Sequence, residues 1–230
     1  MRLQGGGGGG GGGQYHLKCN QIKISHLIFA DDLMLYAKVD YGSVSVLMKC
    51  LDSFRNASGL TVSVEKSNVF LAGVNGQMKD DLLALTGFQE GEFPVRYLGI
   101  PLVPMRVSVA QYSPLIQKID GYVAKWKVKS MSYAGRVELI RAVVQDVQSY
   151  WLQVFPIHVA ILDRIISTCI QFIWDGKSAK VAWCDICKPK EEGGLGLRES
   201  KVWNLALIGK TFCNIHSKKD SLWIKWFHGI

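Results

Sequence analysis

Two adjacent carboxylates, Asp31 and Asp32, are the side chains of this 230-residue sequence that are best suited to chemistry. Two unit charges about 5 Å apart repel each other by roughly 3 kcal/mol at an effective dielectric constant near 20. A divalent cation would reverse that repulsion, and Mg²⁺ binds one or two carboxylates together with substrate phosphates. A pair of such ions is the clamp used in in-line phosphoryl transfer. Without an ion, the two residues would form an ordinary solvated turn, because Asp is common in turns.

The residues on either side of the pair predict how it is positioned. Residues 22–30 are rich in Ile, and residues 33–37 are almost continuously apolar. Such runs indicate two partly or fully buried strands, and a connection of two residues fits a tight hairpin turn. Asp tolerates the positive φ that such turns require. We therefore expect a hydrophobic hairpin with Asp31 and Asp32 side by side at its tip.

A longer pattern contains this pair. The segment Phe29-Ala30-Asp31-Asp32 resembles the (Phe/Tyr)-x-Asp-Asp motif of reverse transcriptases, in the form usual for non-long-terminal-repeat (LINE-type) elements. The resemblance covers residues 15–228 and includes Ser-Gly-Leu at 58–60, Glu-Lys-Ser at 65–67, Arg-Tyr-Leu-Gly-Ile-Pro-Leu at 96–102, Ser-Tyr-Ala-Gly-Arg at 132–136 and Pro-Lys-Glu-Glu-Gly-Gly-Leu-Gly at 189–196. These motifs make the chain similar to the C-terminal part of the palm, plus the thumb, of a plant LINE-type retrotransposon reverse transcriptase.

The resemblance implies an RNA-directed DNA polymerase, which joins deoxynucleotides to a DNA primer on an RNA template by two-metal nucleotidyl transfer. Asp31 and Asp32 would then be catalytic and would bind Mg²⁺. By the same resemblance Lys66 lies near the incoming nucleotide, although this chain has Ser63 where the family usually has Asn. Judged from the sequence alone, Lys66 is equally well a solvated lysine on a hairpin.

A second family motif is the turn that holds the primer end. Tyr97, Leu98 and Gly99 resemble this primer grip. A glycine in an extended segment also marks a simple strand bend, so Gly99 has a second interpretation.

The net charge of +8 is placed unevenly along the chain. Residues 1–100 hold 9 basic and 9 acidic residues, whereas residues 101–230 hold 18 basic and 10 acidic residues. This asymmetry favours a polyanionic partner for the second half. The densest basic stretch contains Lys118, Lys125, Lys127, Lys129, Arg136 and Arg141. Basic residues interleaved with aromatic ones suit a nucleic-acid groove, and by resemblance this stretch is the thumb that follows the template–primer duplex.

Trp126 lies within the basic stretch but on an apolar helical stripe, so we expect it in the core.

The cysteines and the hydropathy of the chain bear on its compartment. The six cysteines are irregularly spaced in a sequence without a secretory signal, which indicates reduced thiols and a location in the nucleus or cytoplasm. No apolar run reaches the roughly 18 residues that a membrane span needs. Cys184, Cys187, Cys213 and His216 have a spacing that could supply four zinc ligands. Because the intervening sequence is predicted to be helical, we regard zinc as the weaker interpretation.

The patterns predict an α+β protein in three parts. The glycine-rich residues 1–13 are expected to be disordered, residues 14–105 to form a small antiparallel palm-like sheet with helices, and residues 106–230 to form an all-helical thumb-like bundle. In the palm-like part, Asp40 or Ser43 is expected to begin a helix that Gly59 ends. Residues 60–64 and 69–72 are predicted to form a second strand pair. In the bundle, the apolar stripes are expected to bury Ile119, Val123, Val137, Ile140, Val144, Val147, Trp151, Val154, Leu162, Ile165, Cys169 and Phe172.

A palm of this family uses a third carboxylate from a strand upstream of the Asp-Asp hairpin. Residues 1–30 contain no Asp or Glu, and the family's fingers are not recognisable in this sequence. We therefore expect the chain to be inactive as a polymerase on its own. The alternative function is that of a non-catalytic nucleic-acid-binding remnant.

Overall fold

A computed structural model of the chain describes residues 24–74, 76–103 and 107–228. The strands are β1 (His26–Phe29), β2 (Asp32–Leu35), β3 (Asn68–Val69), β4 (Gln89–Glu90), β5 (Val95–Tyr97) and β6 (Ile100–Leu102). The helices are α1 (Tyr41–Ser58), α2 (Gln77–Thr86), α3 (Ser113–Lys127), α4 (Tyr133–Leu139), α5 (Gln145–Leu152), α6 (Val159–Ile173), α7 (Trp183–Cys187), α8 (Ser200–His216) and α9 (Leu222–His228). The predicted α+β class is confirmed. The glycine-rich segment 1–13, predicted to be disordered, lies outside the described residues.

The chain divides into two compact units. The first comprises Met1–Val95 with Lys218–Ile230, and the second comprises Arg96–Ser217. The division falls at Val95, whereas the sequence predicted a domain boundary after residue 105. The β5–β6 hairpin therefore lies largely in the helical unit, and the C-terminal helix α9 lies in the first unit.

The strands of the described chain form separate pairs instead of one palm-like sheet. β1 pairs with β2, β3 with β4, and β5 with β6. The β3–β4 pair is parallel, with Asn68 opposite Gln89, so the predicted pairing of residues 60–64 with 69–72 is wrong. Helix α2 connects β3 to β4, as a parallel pair requires a long crossover.

Helix α1 begins and ends where its capping residues predict. The Ser43 backbone amide donates to Asp40 Oδ1 at 2.8 Å, which satisfies one of the unpaired amides of the first turn. Gly59 adopts a left-handed φ of 73° and its amide donates to the Arg55 carbonyl at 2.9 Å. The predicted start at Asp40 and end at Gly59 are confirmed.

The second unit is a helical bundle around a continuous core. The core contains buried side chains from α3 to α6 and from the turn between α4 and α5, including Ile119, Val123, Val137, Ile140, Val144, Trp151, Leu162, Ile165, Cys169 and Phe172. These residues belong to the predicted apolar stripes, so the helical faces are confirmed. A π-helical turn at Ile140–Val144 joins α4 to α5, and the helix then ends at Leu152. Val154 lies beyond that end and is exposed, so the last residue of the predicted stripe is wrong.

No helix within residues 24–74, 76–103 and 107–228 is long and apolar enough to cross a membrane.

Candidate functional site

The Asp31–Asp32 pair lies on the β1–β2 hairpin. The register places Phe29 opposite Asp32, so the turn consists of Ala30 and Asp31, and Asp32 is the first residue of β2. The predicted turn was one residue too late, because Ala30, with a φ of 51°, takes the left-handed position that Asp was expected to occupy. Both carboxylates are exposed. They are thus neighbours at the hairpin tip, but one belongs to the turn and the other to a strand.

The apolar residues of this hairpin are more exposed than the sequence predicted. Ile28 and Phe29 each expose 59% of their surface, and Leu33 exposes 41%. The prediction of two partly or fully buried strands is wrong for the end near the turn. The physical reason is that β1 and β2 pair only with each other in the described part of the chain, so no further strand covers them.

Asp31 and Asp32 are the residues of the hairpin that could hold a metal ion. Carboxylate oxygens are the donors that Mg²⁺ prefers, and exposed carboxylates leave room for the waters that the ion retains. Within the described ranges, however, no group of three or more His, Cys, Asp or Glu side chains could hold a metal ion. Asp31 and Asp32 therefore suit a weakly held, largely hydrated ion rather than a complete two-metal site.

Lys66 lies in the same unit as the carboxylates, at the end of a short 3₁₀ turn formed by Val64–Lys66. Its side chain is exposed. The turn is held by Ser67, whose hydroxyl donates to the Ser63 carbonyl at 2.7 Å. Ser63 contributes to this contact only through its backbone, so the exchange of Asn for Ser leaves this hydrogen bond in place.

Leu98 and Gly99 form the turn of the β5–β6 hairpin, directly after Tyr97, the last residue of β5. Leu98 has a φ of 52° and Gly99 a φ of 80°, the two positive values that a two-residue type I′ turn requires. Gly99 is therefore a turn residue and not a bend within a strand. The Tyr150 hydroxyl of α5 donates to the Leu98 carbonyl at 2.8 Å and fixes the turn to the bundle. The sequence carried no signal for this contact, since Tyr150 is remote in the chain and lies on no motif.

The basic stretch separates into two kinds of side chain. Arg136 forms an ion pair with Asp175 at 3.1 Å and exposes only 15% of its side chain. Arg141 forms an ion pair with Glu138 and donates to the Leu195 carbonyl at 2.6 Å. These two arginines hold elements of the bundle together, and their role in nucleic-acid binding stays a prediction.

The four lysines of the stretch are exposed, and none forms an ion pair with the described part of the chain. Because successive residues of an α-helix are about 100° apart, Lys118 and Lys125 lie on one side of α3. Lys127 lies about 200° around the helix from Lys125, on a different side. Lys129 follows the helix, where its amide donates to the Trp126 carbonyl at 3.0 Å. The predicted set thus does not form one face.

Trp126 lies at the border of the core. Its ring stacks on Tyr122 with centroids 5.7 Å apart and contacts the Phe172 ring at 5.6 Å. It is half-buried and packs against the core cluster, so the predicted core position is confirmed for one face of the ring.

The described cysteines do not form a zinc site. Cys184 is exposed and Cys187 is half-buried, and no metal-binding group occurs among the residues that the structure describes. Burial, with smaller effects from Glu199 and Cys184, raises the pKa of the Cys187 thiol to about 12, so this thiol is neutral near pH 7.

These features define an α+β protein with an exposed carboxylate hairpin in one unit and a basic helical bundle in the other. Comparison with known proteins gives a relative in Arabidopsis thaliana named "Putative ribonuclease H protein". The two sequences are 30% identical over 129 residues, which cover 54% of this chain and 21% of that protein. The chain therefore matches about a fifth of the length of this relative. No family model matches the chain.

Proposed function

We propose that this chain is the late-palm and thumb portion of a LINE-type RNA-directed DNA polymerase and that it binds nucleic acid through the lysines of α3. The family motifs support the first part of the proposal by their order and spacing over residues 15–228. The name of the Arabidopsis relative, which refers to a ribonuclease, supports nucleic acid as the substrate class. The proposal implies RNA template, DNA primer and deoxynucleotides as partners and the nucleus or cytoplasm as the compartment.

The observation that carries the proposal is the set of exposed lysines without ion-pair partners in the described bundle. Of the nine acidic residues of the second unit, six are in ion pairs with other basic side chains: Asp120, Glu138, Asp146, Asp163, Asp175 and Asp185. The positive charge of Lys118, Lys125, Lys127 and Lys129 is therefore not neutralised within this part of the chain. Phosphates are the natural counter-charges, since lysines release counterions when they bind a nucleic-acid backbone.

The catalytic part of the proposal assigns each residue a role. Asp31 and Asp32 would hold Mg²⁺, which when bound lowers the barrier to attack of the primer hydroxyl on a deoxynucleotide. Lys66 would contact the triphosphate, and the Tyr97–Gly99 turn would hold the primer end. Because the described donor set is incomplete, the chain alone is expected to bind but not to polymerise.

A second candidate function is nucleic-acid binding without catalysis. The absence of a third metal ligand among the described residues favours it. The two candidates share the binding step and differ only in nucleotide incorporation.

The binding step is tested by fluorescence anisotropy with a labelled oligonucleotide in a salt titration. The full chain should bind DNA and RNA of any sequence, and log affinity should fall with log salt by about 0.7 to 0.9 for each phosphate contacted. Replacing both Lys118 and Lys125 by Glu should weaken binding to every sequence alike and reduce that slope.

The matched control replaces Lys190 and Lys210, two other exposed lysines of the second unit, by Glu. This control variant changes the net charge by the same amount as the Lys118/Lys125 variant, but at positions outside α3. If both double variants weaken binding equally, the α3 surface is not the binding site. If the unchanged chain does not bind at all, the proposed function is wrong.

A further inference from the structure

An open groove of about 500 Å³ runs between α3 and α6 inside the second unit. The Arg164 guanidinium lies 3.0 Å from the Asp120 carboxylate, and the ring centroids of Phe172 and Trp126 are 5.6 Å apart. Because the later residue of α6 contacts the later residue of α3, the two helices run in the same direction. Each helix lines the groove with residues at i, i+3, i+4 and i+7, which is one face of a helix. The polar lining side chains are Asp120, Lys127, Arg164, Ser167, Thr168 and Gln171.

The groove contains hydrogen-bond donors that are not used within the described chain. Ser and Thr on helices often donate to the carbonyl four residues earlier, and Ser53, Ser58 and Thr211 do so. The hydroxyls of Ser167 and Thr168 form no such bond to any described residue. The Gln171 amide is likewise without a partner there. These three groups, all on one face of α6, can donate to a ligand in the groove.

The charge in the groove is concentrated at one end. Asp120 and Arg164 neutralise each other by their ion pair. Lys127 lies seven residues further along α3, about 10 Å away, and has no ion-pair partner in the described part of the chain. Because the helices are parallel, Thr168 and Gln171 lie towards this positive end.

We propose that the α3–α6 groove is a binding site for a backbone phosphate of nucleic acid, with Lys127 supplying the charge and Ser167, Thr168 and Gln171 supplying neutral donors. This inference rests on the proposed function and adds a built subsite to it. Lys, Ser, Thr and Gln are among the side chains that contact phosphates in nucleic-acid complexes. The site is distinct from Lys118 and Lys125, which lie on another side of α3.

The geometry also assigns a role to Asp120. Its carboxylate forms an ion pair with the Arg164 guanidinium and repels an incoming phosphate. Removing the carboxylate charge would free Arg164 for the ligand. The Asp120 carboxylate therefore weakens the site, which gives a test that predicts a gain in binding.

The experiment measures binding of the full chain to a fluorescein-labelled oligonucleotide by anisotropy, with circular dichroism as a folding control. Lys127→Ala should weaken binding by about tenfold, the effect of losing one charge-assisted hydrogen bond, and reduce the salt slope by about 0.7 to 0.9. Thr168→Val should weaken binding by about threefold with an unchanged salt slope, because it removes a neutral donor. Asp120→Asn should strengthen binding by about threefold, the size of an exposed charge interaction.

Matched controls separate the groove from general effects. Thr211→Val removes a hydroxyl that already donates to the Leu207 carbonyl at 3.3 Å, and it should leave affinity unchanged. Asp146→Asn removes the carboxylate of another exposed Arg–Asp pair, with Arg198 at 3.9 Å, and it should have a smaller effect than Asp120→Asn. A poly-glutamate peptide should compete poorly with the oligonucleotide.

The outcomes distinguish this inference from the proposed function. If the chain binds nucleic acid and the Lys118/Lys125 double variant weakens it, but Lys127→Ala and Thr168→Val do not, the groove proposal is wrong and the proposed function stands. Equal gains from Asp120→Asn and Asp146→Asn would also overturn the groove, since only net charge would then matter. Effective competition by poly-glutamate would show a general anion site instead of a phosphate site. Absence of any binding by the unchanged chain overturns both.

Discussion

At the scale of single residues, burial decides how two thiols of the second unit, Cys169 and Cys187, ionise. Burial, with a smaller effect from Cys187, raises the pKa of the Cys169 thiol to about 12, and the pKa of the Cys187 thiol also reaches about 12. The ordinary pKa of these groups is 9.0. A raised pKa means that the folded state favours the neutral thiol. This contribution to stability is therefore fully present below pH 9 and is lost as the pH rises towards 12.

The prediction is that the thiols differ in their rates of alkylation. At about pH 8 iodoacetamide should modify the exposed Cys184 and Cys213 quickly and leave Cys169 and Cys187 unmodified, because the thiolate is the nucleophile. Mass spectrometry of the peptides reads out each site. In urea all four should react, which serves as the control for intrinsic reactivity. Alkylation of Cys169 at the rate of Cys213 in the folded chain would contradict the prediction.

At the scale of secondary-structure elements, one buried side chain joins α8 to the loop between α5 and α6. Asn204 Oδ1 accepts from the Ile157 amide at 3.0 Å. Asn204 Nδ2 donates to the carbonyls of Leu152 at 2.9 Å and Phe155 at 2.8 Å. These backbone groups lie where a helix has ended before a proline, so they have no helical partners of their own. Asn204 thus satisfies three polar groups at once.

The prediction for this contact concerns stability. Asn204→Ala should lower the free energy of unfolding by about 2 to 3 kcal/mol, since it leaves buried backbone groups without partners. Asn214→Ala on the same helix should change it by less than about 0.5 kcal/mol, because no side-chain hydrogen bond of Asn214 forms in the described chain. Urea denaturation followed by circular dichroism measures both. Equal effects of the two substitutions would show that the Asn204 bonds contribute little.

At the scale of the whole molecule, the Asp31–Asp32 carboxylate pair and the exposed α3 lysines lie in different units. Asp31, Asp32 and Lys66 belong to the first unit, whereas the Tyr97–Gly99 turn and the α3 lysines belong to the second. The second half of the sequence carries the whole net charge of +8. The proposed nucleic-acid binding and the proposed metal binding can therefore be tested separately.

The prediction at this scale is binding of nucleic acid without primer extension. The chain should incorporate no deoxynucleotide on an RNA template with Mg²⁺, because the described residues lack a third carboxylate beside Asp31 and Asp32. Incorporation that is lost in the Asp31→Asn variant would contradict this.

The metal affinity gives a second measurement on the same residues. Calorimetry should show Mg²⁺ binding to the hairpin no tighter than about millimolar, since two carboxylates leave the ion largely hydrated. The matched control replaces Asp80 and Asp81, another adjacent carboxylate pair, by Asn. A micromolar site that is lost in Asp31→Asn but kept in the Asp80/Asp81 control would overturn the prediction.

The sequence by itself determined the features that depend on neighbouring residues. The cap at Asp40, the left-handed end at Gly59 and the buried face of α6 could be predicted because each is set by hydrogen bonds or periodicity within a few residues. The α+β class followed from the same local patterns. The motif order around Asp31 likewise needed no knowledge of packing.

The tertiary structure decided which side chains are available. Sequence spacing treats Arg136 and Lys127 alike, but packing brings Asp175 to Arg136 and leaves Lys127 without an ion pair in the α3–α6 groove. The parallel β3–β4 pair and the exposed β1–β2 hairpin were also unpredictable, because strand partners come from distant segments. Local sequence sets the direction of a side chain on its own element, whereas its partner depends on how distant elements pack.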